Sequence, residues 1–465
     1  MICHDLAKRN PLEDRSKTCM LSPLNLTVDE ISIAIVEVSR SGGRGLDGVD
    51  PSSATGMEPT EQKFMASLIK DWIKLVIQQK AFPGKTGASL LSLIPKKENI
   101  ASLEHLRPIE VDSWPLRIIS RAVASRAKML NESHDPCQFG FIKNRRSSSA
   151  ILLVDHFMRI GMPVLAVDIK GAYSNVDMFQ LIAALEAWDL PPDFCAMTEA
   201  LAQPRTTHIL YDGRVSKRSC MLRRGLRQGN ALSPFLFNLI TKLVSAKIKE
   251  LISEIEIIWY ADDMNIICFN HNIISANSKF EPLMESIENA LALFGLTRAL
   301  SKTTLYTAGI PPCNSVSRLG VNLDIKLKFL GIYLPILDNI RENTEDRITK
   351  SVATGKWLKA SCPLYQTRSL LYNAMIWSKW IYLACIFLLP DNVISNLEDV
   401  QRSLFGLRSQ GGHYLGRAVS RLSDDPKWGG MGLKPARRHN WALLGTLLGR
   451  MDTGHQSTFR LEINV

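Results

Sequence analysis

The sequence has no C-x-x-C pair and no Cys/His cluster at zinc-ligand spacing, although it carries nine cysteines, at 3, 19, 137, 195, 220, 268, 313, 362 and 385. Scattered in this way they read as unpaired thiols of a reducing compartment, which excludes a disulfide framework and a structural zinc. No long hydrophobic run is present either. The longest, Trp380 to Pro390, is too short to span a bilayer and reads as a buried helix. The opening, Met1 to Asn10, is polar and charged and lacks the apolar segment of a secretion signal. There is no internal repeat and no low-complexity tract. Together these absences point to a soluble protein of the nucleus or cytoplasm that makes no use of a membrane.

What is present is ordinary in amount and skewed in charge. At 465 residues, with 46% hydrophobic and 22% charged, the chain is long enough for about two to four domains. Fifty-six Lys and Arg against 45 Asp and Glu leave a formal charge of +11. A cationic excess favours a polyanionic partner through counterion release, and it also serves plain solubility.

Patterning places the elements. Thr27-x-x-Glu30 ahead of Ile31, Ile33 and Ile35 is a capping-box start to a helix. Ser41 to Pro51, with four glycines, is a loop, and helical periodicity runs from Glu61 to Gln79. Ser89 to Ile94 is strand-like, and residues 115–130 read as a helix bounded by Asp135-Pro136. Val164 to Ile169 is a short apolar run that contains Asp168, as expected of a buried strand. Residues 178–188 and Ser233 to Leu251 are helical. Glu254 to Tyr260 and Met264 to Cys268 read as strands joined by Ala261-Asp262-Asp263. Leu283, Ile287, Leu291 and Phe294 share one helical face, ended by Gly295, and the pattern after 335 is mostly helical. Helices mixed with antiparallel strands give an α+β class.

Asp262 and Asp263 are adjacent carboxylates at a hairpin tip between apolar strands, an arrangement that is costly unless something positive neutralises it. A divalent metal pair does so, and hard oxygen ligands suit Mg²⁺. If the strand ending on Asp168 is a neighbour, the three acids converge on one sheet edge. Two ions about 4 Å apart could then activate a hydroxyl and stabilise a leaving phosphate. An isolated Asp-Asp is ordinarily a solvated turn; the flanking strands and the second acidic strand end favour the metal. Between these acids, Arg214 to Arg227 holds six basic residues and no acid and leads into Gln228 and Gly229. It reads as a loop that lies against a phosphate backbone or a nucleotide, or as a basic solvated loop.

Tyr260-Ala261-Asp262-Asp263 matches the YADD motif of reverse transcriptases, and Arg227-Gln228-Gly229 through Leu236-Phe237-Asn238-Leu239 resembles their nucleotide-binding motif as non-LTR elements write it. Val167 to Tyr173 resembles the first catalytic-Asp motif. Leu93-Ile94-Pro95-Lys96-Lys97 and Leu106-Arg107-Pro108-Ile109 resemble finger motifs, followed in order by Gln138-Phe139-Gly140-Phe141. Gly45 to Val49 is similar to the glycine-rich entry motif, while Lys302-Thr303 and Lys328 to Tyr333 resemble the two closing palm motifs. Trp428-Gly429-Gly430-Met431-Gly432-Leu433, with Asn440 and Ala442 to Leu444 beyond, resembles the post-palm segment of LINE-type elements. The ordered series spans roughly residues 22–450 and identifies a non-LTR retrotransposon reverse transcriptase.

That resemblance implies a right-hand polymerase: a leader at 1–21, fingers at 22–155, a palm with an antiparallel sheet and the YADD hairpin at 156–335, and a helical thumb with a basic C-terminal segment at 336–465. It implies RNA-directed DNA synthesis from a primer 3′-hydroxyl, with an RNA template, a DNA primer or target, dNTPs and two Mg²⁺ ions, Mn²⁺ being possible. Asp168, Asp262 and Asp263 would hold the metals. Tyr173 would screen the sugar 2′-hydroxyl, or be an ordinary buried aromatic. Gln228 and Gly229 would lie beside the incoming base pair and sugar, and Arg107 with Lys96 or Lys97 would meet the triphosphate. Lys302 would give a proton to pyrophosphate, or be a solvated helix-end lysine. Phe329 to Tyr333 would support the primer end or belong to the palm core.

Two departures stand out: Arg298 where the family carries an apolar residue, and Ala299 where it carries Asn. No endonuclease segment is recognisable, so the expectation is a polymerase part alone, from a truncated, decayed or domesticated element. A catalytically dead RNA-binding relic and an intron maturase are the rival readings. The intact acids favour an enzyme.

Overall fold

Pairing of eleven strands among the described residues builds the sheets. They are β1 (Ser89–Pro95), β2 (Leu106–Asp112), β3 (Val164–Asp168), β4 (Arg205–Tyr211), β5 (Arg214–Leu222), β6 (Ile255–Tyr260), β7 (Asp263–Cys268), β8 (Thr304–Tyr306), β9 (Asn322–Leu323), β10 (Leu327–Phe329) and β11 (Ile332–Leu334). The order is β6-β7-β3-β8-β9 in one sheet and β2-β1-β4-β5 in another, with β10-β11 a separate hairpin. Pairing is antiparallel except between β1 and β4 and between β8 and β9. The computed structural model describes residues 24–96, 102–131, 137–188, 190–362, 364–405, 422–424, 427 and 431–453. The leader, Lys97, Asp135-Pro136 and Trp428-Gly429-Gly430 lie outside them.

The chain forms two compact units, one of Met1–Arg145 with Gly161–Ile325 and one of Arg146–Ile160 with Lys326–Val465. Within the second unit Asp155, buried in the helix Ser147–Arg159, accepts the Ile336 N–H at 2.6 Å.

In the first unit, central strands are buried on both faces: Val164, Leu165 and Val167 in β3, Met264, Ile266 and Ile267 in β7, Ile257, Ile258 and Trp259 in β6. Two-sided burial explains why these strands read as continuous apolar runs instead of alternating ones. Helix Ser233–Leu251 packs beside β6 with Leu236, Ile240, Val244 and Ile248 buried, while Val28–Ser39 buries Ile31, Ile35 and Val38 and packs against the helices Pro59–Gln79 and Trp114–Asn131. The Thr27–Glu30 capping box forms as expected. Trp259 is fixed within this core by an indole N–H donated to Ser245 Oγ at 2.7 Å.

In the second unit, Leu330 and Gly331 take φ of +48° and +83° in the two-residue turn between β10 and β11. The helices Ile340–Ser361 and Asp391–Leu404 meet closely where Gly355 faces Val400; a Cβ on that glycine would stand 2.6 Å from Val400 Cγ1. The segment 380–390 is helical through Ala384 and then turns, with Leu388 exposed, so the expected buried helix is shorter than its apolar run. Asn440 caps that ending by donating to Ala384 O and accepting from Leu389 N–H. No helix among the described residues is long and apolar enough to cross a membrane.

One sequence reading needs correction. Arg214 to Leu222 is not a loop but the edge strand β5, paired with β4. Its side chains are exposed almost throughout, so it carries no apolar alternation for the sequence to display. Register shifts between His208 and Leu210, where Ser216 to Arg218 stand against Ile209 alone as a bulge. A bulged, charged edge also resists edge-to-edge association.

Candidate active site

β3 and β7 pair antiparallel with Asp168 directly opposite Asp263, so the two carboxyls leave the same end of the sheet. β6 closes on β7 with Tyr260 opposite Asp263, which makes Ala261-Asp262 a two-residue turn and places Asp262 at its tip. Three aspartates, separated by almost a hundred residues in the chain, thus share one sheet edge.

Charge at that edge is unbalanced. Burial pushes the Asp263 carboxyl up to about 6, helped by the neighbouring charges of Asp262 and Asp168. Burial, then Asp168, also raises Asp262, against the opposing pull of Lys302 and Arg107. Lys302 Nζ donates to Asp168 Oδ2 at 3.0 Å from an exposed side chain. Among the described residues no three His, Cys, Asp or Glu side chains stand as a ready-made metal-ligand group. The donor set still fits a hard divalent cation: three carboxylates on one edge, two of them held above their ordinary range by burial and by each other.

The two unusual residues before Lys302 help build this edge. Arg298, almost buried, donates to Glu288 Oε1 at 2.7 Å and to Leu319 O at 2.6 Å. Ala299 N–H donates to Asp168 O at 2.8 Å, and Lys170 N–H to Thr297 O at 2.9 Å. Segment 297–299 is therefore laced to the end of β3 by its backbone.

Tyr173 stacks on Phe237 with centroids 4.8 Å apart. Its hydroxyl is buried with no hydrogen-bond partner, and burial followed by the Asp262 charge raises its pKa. Leu226 N–H donates to Tyr173 O, so the 225–229 loop is docked beside it. On the loop's other side, Glu110 N–H donates to Gln228 O at 2.7 Å. Gly229, with φ of +123°, lies so near that a Cβ would stand 2.5 Å from Glu110 O. Arg107, exposed on β2, is close enough to act on Asp262, while Lys96 stands just past β1 with its N–H on His105 O. Lys96, Arg107, Asp168, Tyr173, Gln228, Gly229, Asp262, Asp263 and Lys302 fall in the first unit, whereas Phe329 to Tyr333 belong to the second.

Sequence reasoning missed what holds the loop. Arg227 donates to Asp112 Oδ1 at 2.7 Å and to Gly87 O at 2.9 Å, and Asn230 Nδ2 donates to Asp112 Oδ2 and Ser120 Oγ. Two residues along β2, Glu110 receives a bidentate pair from Arg205 at 2.6 Å each. The available signal was two acids at i and i+2 on one face of a strand, a face that a loop so rich in arginine would be free to cover.

Residues 94–334 match the reverse transcriptase (RNA-dependent DNA polymerase) family. The chain is 25% identical over 459 residues to a protein of transposon TX1 from Xenopus laevis, an uncharacterized 149 kDa protein, covering 93% of this chain and 33% of that one. It is 23% identical over 361 residues to the retrovirus-related Pol polyprotein from type-1 retrotransposable element R2 of Popillia japonica, covering 74% and 47%. It is 25% identical over 221 residues to the Pol polyprotein from type-2 retrotransposable element R2DM of Drosophila melanogaster, covering 46% and 20%. The chain thus spans less than half the length of these curated relatives. With the family match running over more than half of its 465 residues, the chain belongs to the reverse transcriptase (RNA-dependent DNA polymerase) family.

Proposed function

We propose that the chain is an RNA-directed DNA polymerase that extends a primer 3′-hydroxyl with dNTPs on an RNA template, with the fingers at 22–155, the palm at 156–335 and the thumb at 336–465. One observation carries this reading. The Asp168–Asp263 register and the Ala261-Asp262 turn gather three carboxylates at one edge, two of them with raised pKa. When bound there, two Mg²⁺ or Mn²⁺ ions supply activation of the attacking hydroxyl and stabilisation of the leaving phosphate.

The chain's own groups do the rest. Asp168, Asp262 and Asp263 hold the cations. Arg107, with Lys96, meets the triphosphate through charge-assisted hydrogen bonds. Tyr173, fixed by its stack on Phe237, screens the sugar of the incoming nucleotide against a 2′-hydroxyl. Gln228 and Gly229 present bare backbone beside the base pair, held by Asp112 and Glu110 through the bonds described above. Lys302, already donating to Asp168, gives its proton to the departing pyrophosphate.

The test is extension of a DNA primer annealed to RNA. Product is expected with dNTPs and Mg²⁺ and none after chelation. Folded protein that extends on neither RNA nor DNA with either metal overturns the reading.

A further inference from the structure

We infer that Gln138 is a positioning residue that locks the Ala261-Asp262 turn, and so aims the Asp262 carboxylate; the inference rests on the polymerase reading of that site. Gln138 is a wholly buried amide. Burying such a group is unfavourable unless its polar atoms are satisfied. Here every one is used, and most on or around a single residue. Its Oε1 accepts from Ala261 N–H at 3.0 Å and from Gly140 N–H at 2.7 Å. Its Nε2 donates to Ala261 O and to Thr241 Oγ1, both at 3.2 Å. The orientation is fixed by chemistry, since two backbone N–H donors meet the oxygen and a carbonyl meets the nitrogen.

Ala261 needs this grip. Its φ of +56° is a left-handed conformation that a residue with a Cβ takes only when its surroundings impose it. Both its N–H and its C=O are taken by one side chain from outside the hairpin. The surrounding chain is built to deliver that side chain. Phe139 N–H donates to Trp259 O and Trp259 N–H to Cys137 O, each at 2.8 Å, which lays 137–139 along β6. Gly140 then presses on the turn so closely that a Cβ would stand 2.4 Å from Ala261 N. Asn238 Nδ2, from the helix that follows the Gln228-Gly229 loop, holds Gly140 O at 3.0 Å. A hydrophobic side chain of the same length would fill the space equally well; the glutamine is there for the turn. Without it Ala261 is free to relax to a right-handed conformation and swing Asp262 away from Asp168 and Asp263.

The test compares Gln138→Met, which nearly keeps volume and removes all four hydrogen bonds, with the double variant Gln138→Met/Ala261→Gly. We expect Gln138→Met to lower kcat about 100-fold, as misplacement of a reacting group by about 1 Å does. The half-saturating Mg²⁺ should rise several-fold, while dNTP KM, primer–template Kd and circular dichroism stay near wild type. In metal-free protein, hydrogen exchange of the peptide spanning 259–264 should quicken. Glycine at 261 adopts positive φ without a Cβ clash, so the double variant should recover about tenfold or more of the lost rate. Wild-type kcat and Mg²⁺ requirement in Gln138→Met overturn the inference. So does a loss that tracks a fall in Tm and is not relieved by Ala261→Gly, since that marks ordinary core damage. Asp262→Asn run alongside separates the levels: if it is also fully active, the reading of the site fails, and if it is dead while Gln138→Met is not, the clamp alone fails.

Discussion

Two sets of acids lie in the first unit, one buried and one half-buried, and they are treated in opposite ways. Glu110 and Asp112, on one face of β2, are each matched by a buried arginine, with Asn230, Ser89 and Gly87 completing the hydrogen bonds. Asp262 and Asp263 share one sheet end with Asp168, with the exposed Lys302 and Arg107 as partial counterweights. The first set is closed: its charges are neutralised by the chain and form scaffold under the Gln228-Gly229 loop. The second is open, with more negative charge than the chain cancels, and is the proposed place for an external cation. The lesson is that burial of an acid says little until its partner is identified.

The closed set should break hardest. Asp112→Ala leaves Arg227 buried without its counter-charge, and we expect a loss of about 3–5 kcal/mol, read as a large fall in Tm. A near-neutral result would mean that Arg227 finds water or another acceptor and that the pair is not scaffold.

The open set should respond with the opposite sign. An acid whose folded pKa lies above its unfolded value favours folding when protonated. For Asp263, raised from 3.8 to about 6, stability of the metal-free protein should therefore fall as pH rises from about 4 through about 6, then level off. Asp263→Asn should weaken that dependence, leaving the part due to Asp262, and stabilise the metal-free protein at pH 7 by about 1–2 kcal/mol, after allowing for the group's partial exposure. Melts of both proteins from pH 4.5 to 7.5, with and without Mg²⁺, check this. Mg²⁺ should raise the wild-type Tm more at pH 7 than at pH 5, and an Asp263→Asn variant less stable than wild type at pH 7 would refute it.

Tyr173 sits between the two sets. Tyr173→Ala should shift the ratio of kcat/KM for ribonucleotides against deoxynucleotides by about 10–100-fold. An unchanged ratio would leave the ring as core, stacked on Phe237. Smallest is the effect expected on the bulged edge β5. Lys217→Ala with Arg218→Ala should alter stability by less than about 0.5 kcal/mol. If these side chains meet phosphates, the slope of log affinity against log salt for a primer–template should shrink by about two. An unaltered slope would leave them as solvated edge charges.

Much of this was legible where one local force dominates. The apolar runs around Asp168 and Asp262 gave the strands, because both faces are buried, and Thr27 with Glu30 gave a helix start. β5 was not legible, since an exposed edge strand owes its conformation to pairing with β4 and its side chains to solvent. Nor were the Arg205–Glu110 and Arg227–Asp112 pairs, which join residues about a hundred positions apart. Gln138 stood in plain view inside a motif. Its purpose emerges when the turn it holds is seen to need holding.

Whether the open set is a metal-dependent catalytic centre is tested most directly by Asp262→Asn, which nearly keeps shape and removes one charge. Primer extension on RNA, Mg²⁺ titration and circular dichroism should be run on the same preparation. We predict extension at the level of a no-enzyme control at every Mg²⁺ concentration, from a protein as folded as wild type. Extension at the wild-type rate with an unchanged Mg²⁺ dependence would contradict the assignment of Asp168, Asp262 and Asp263.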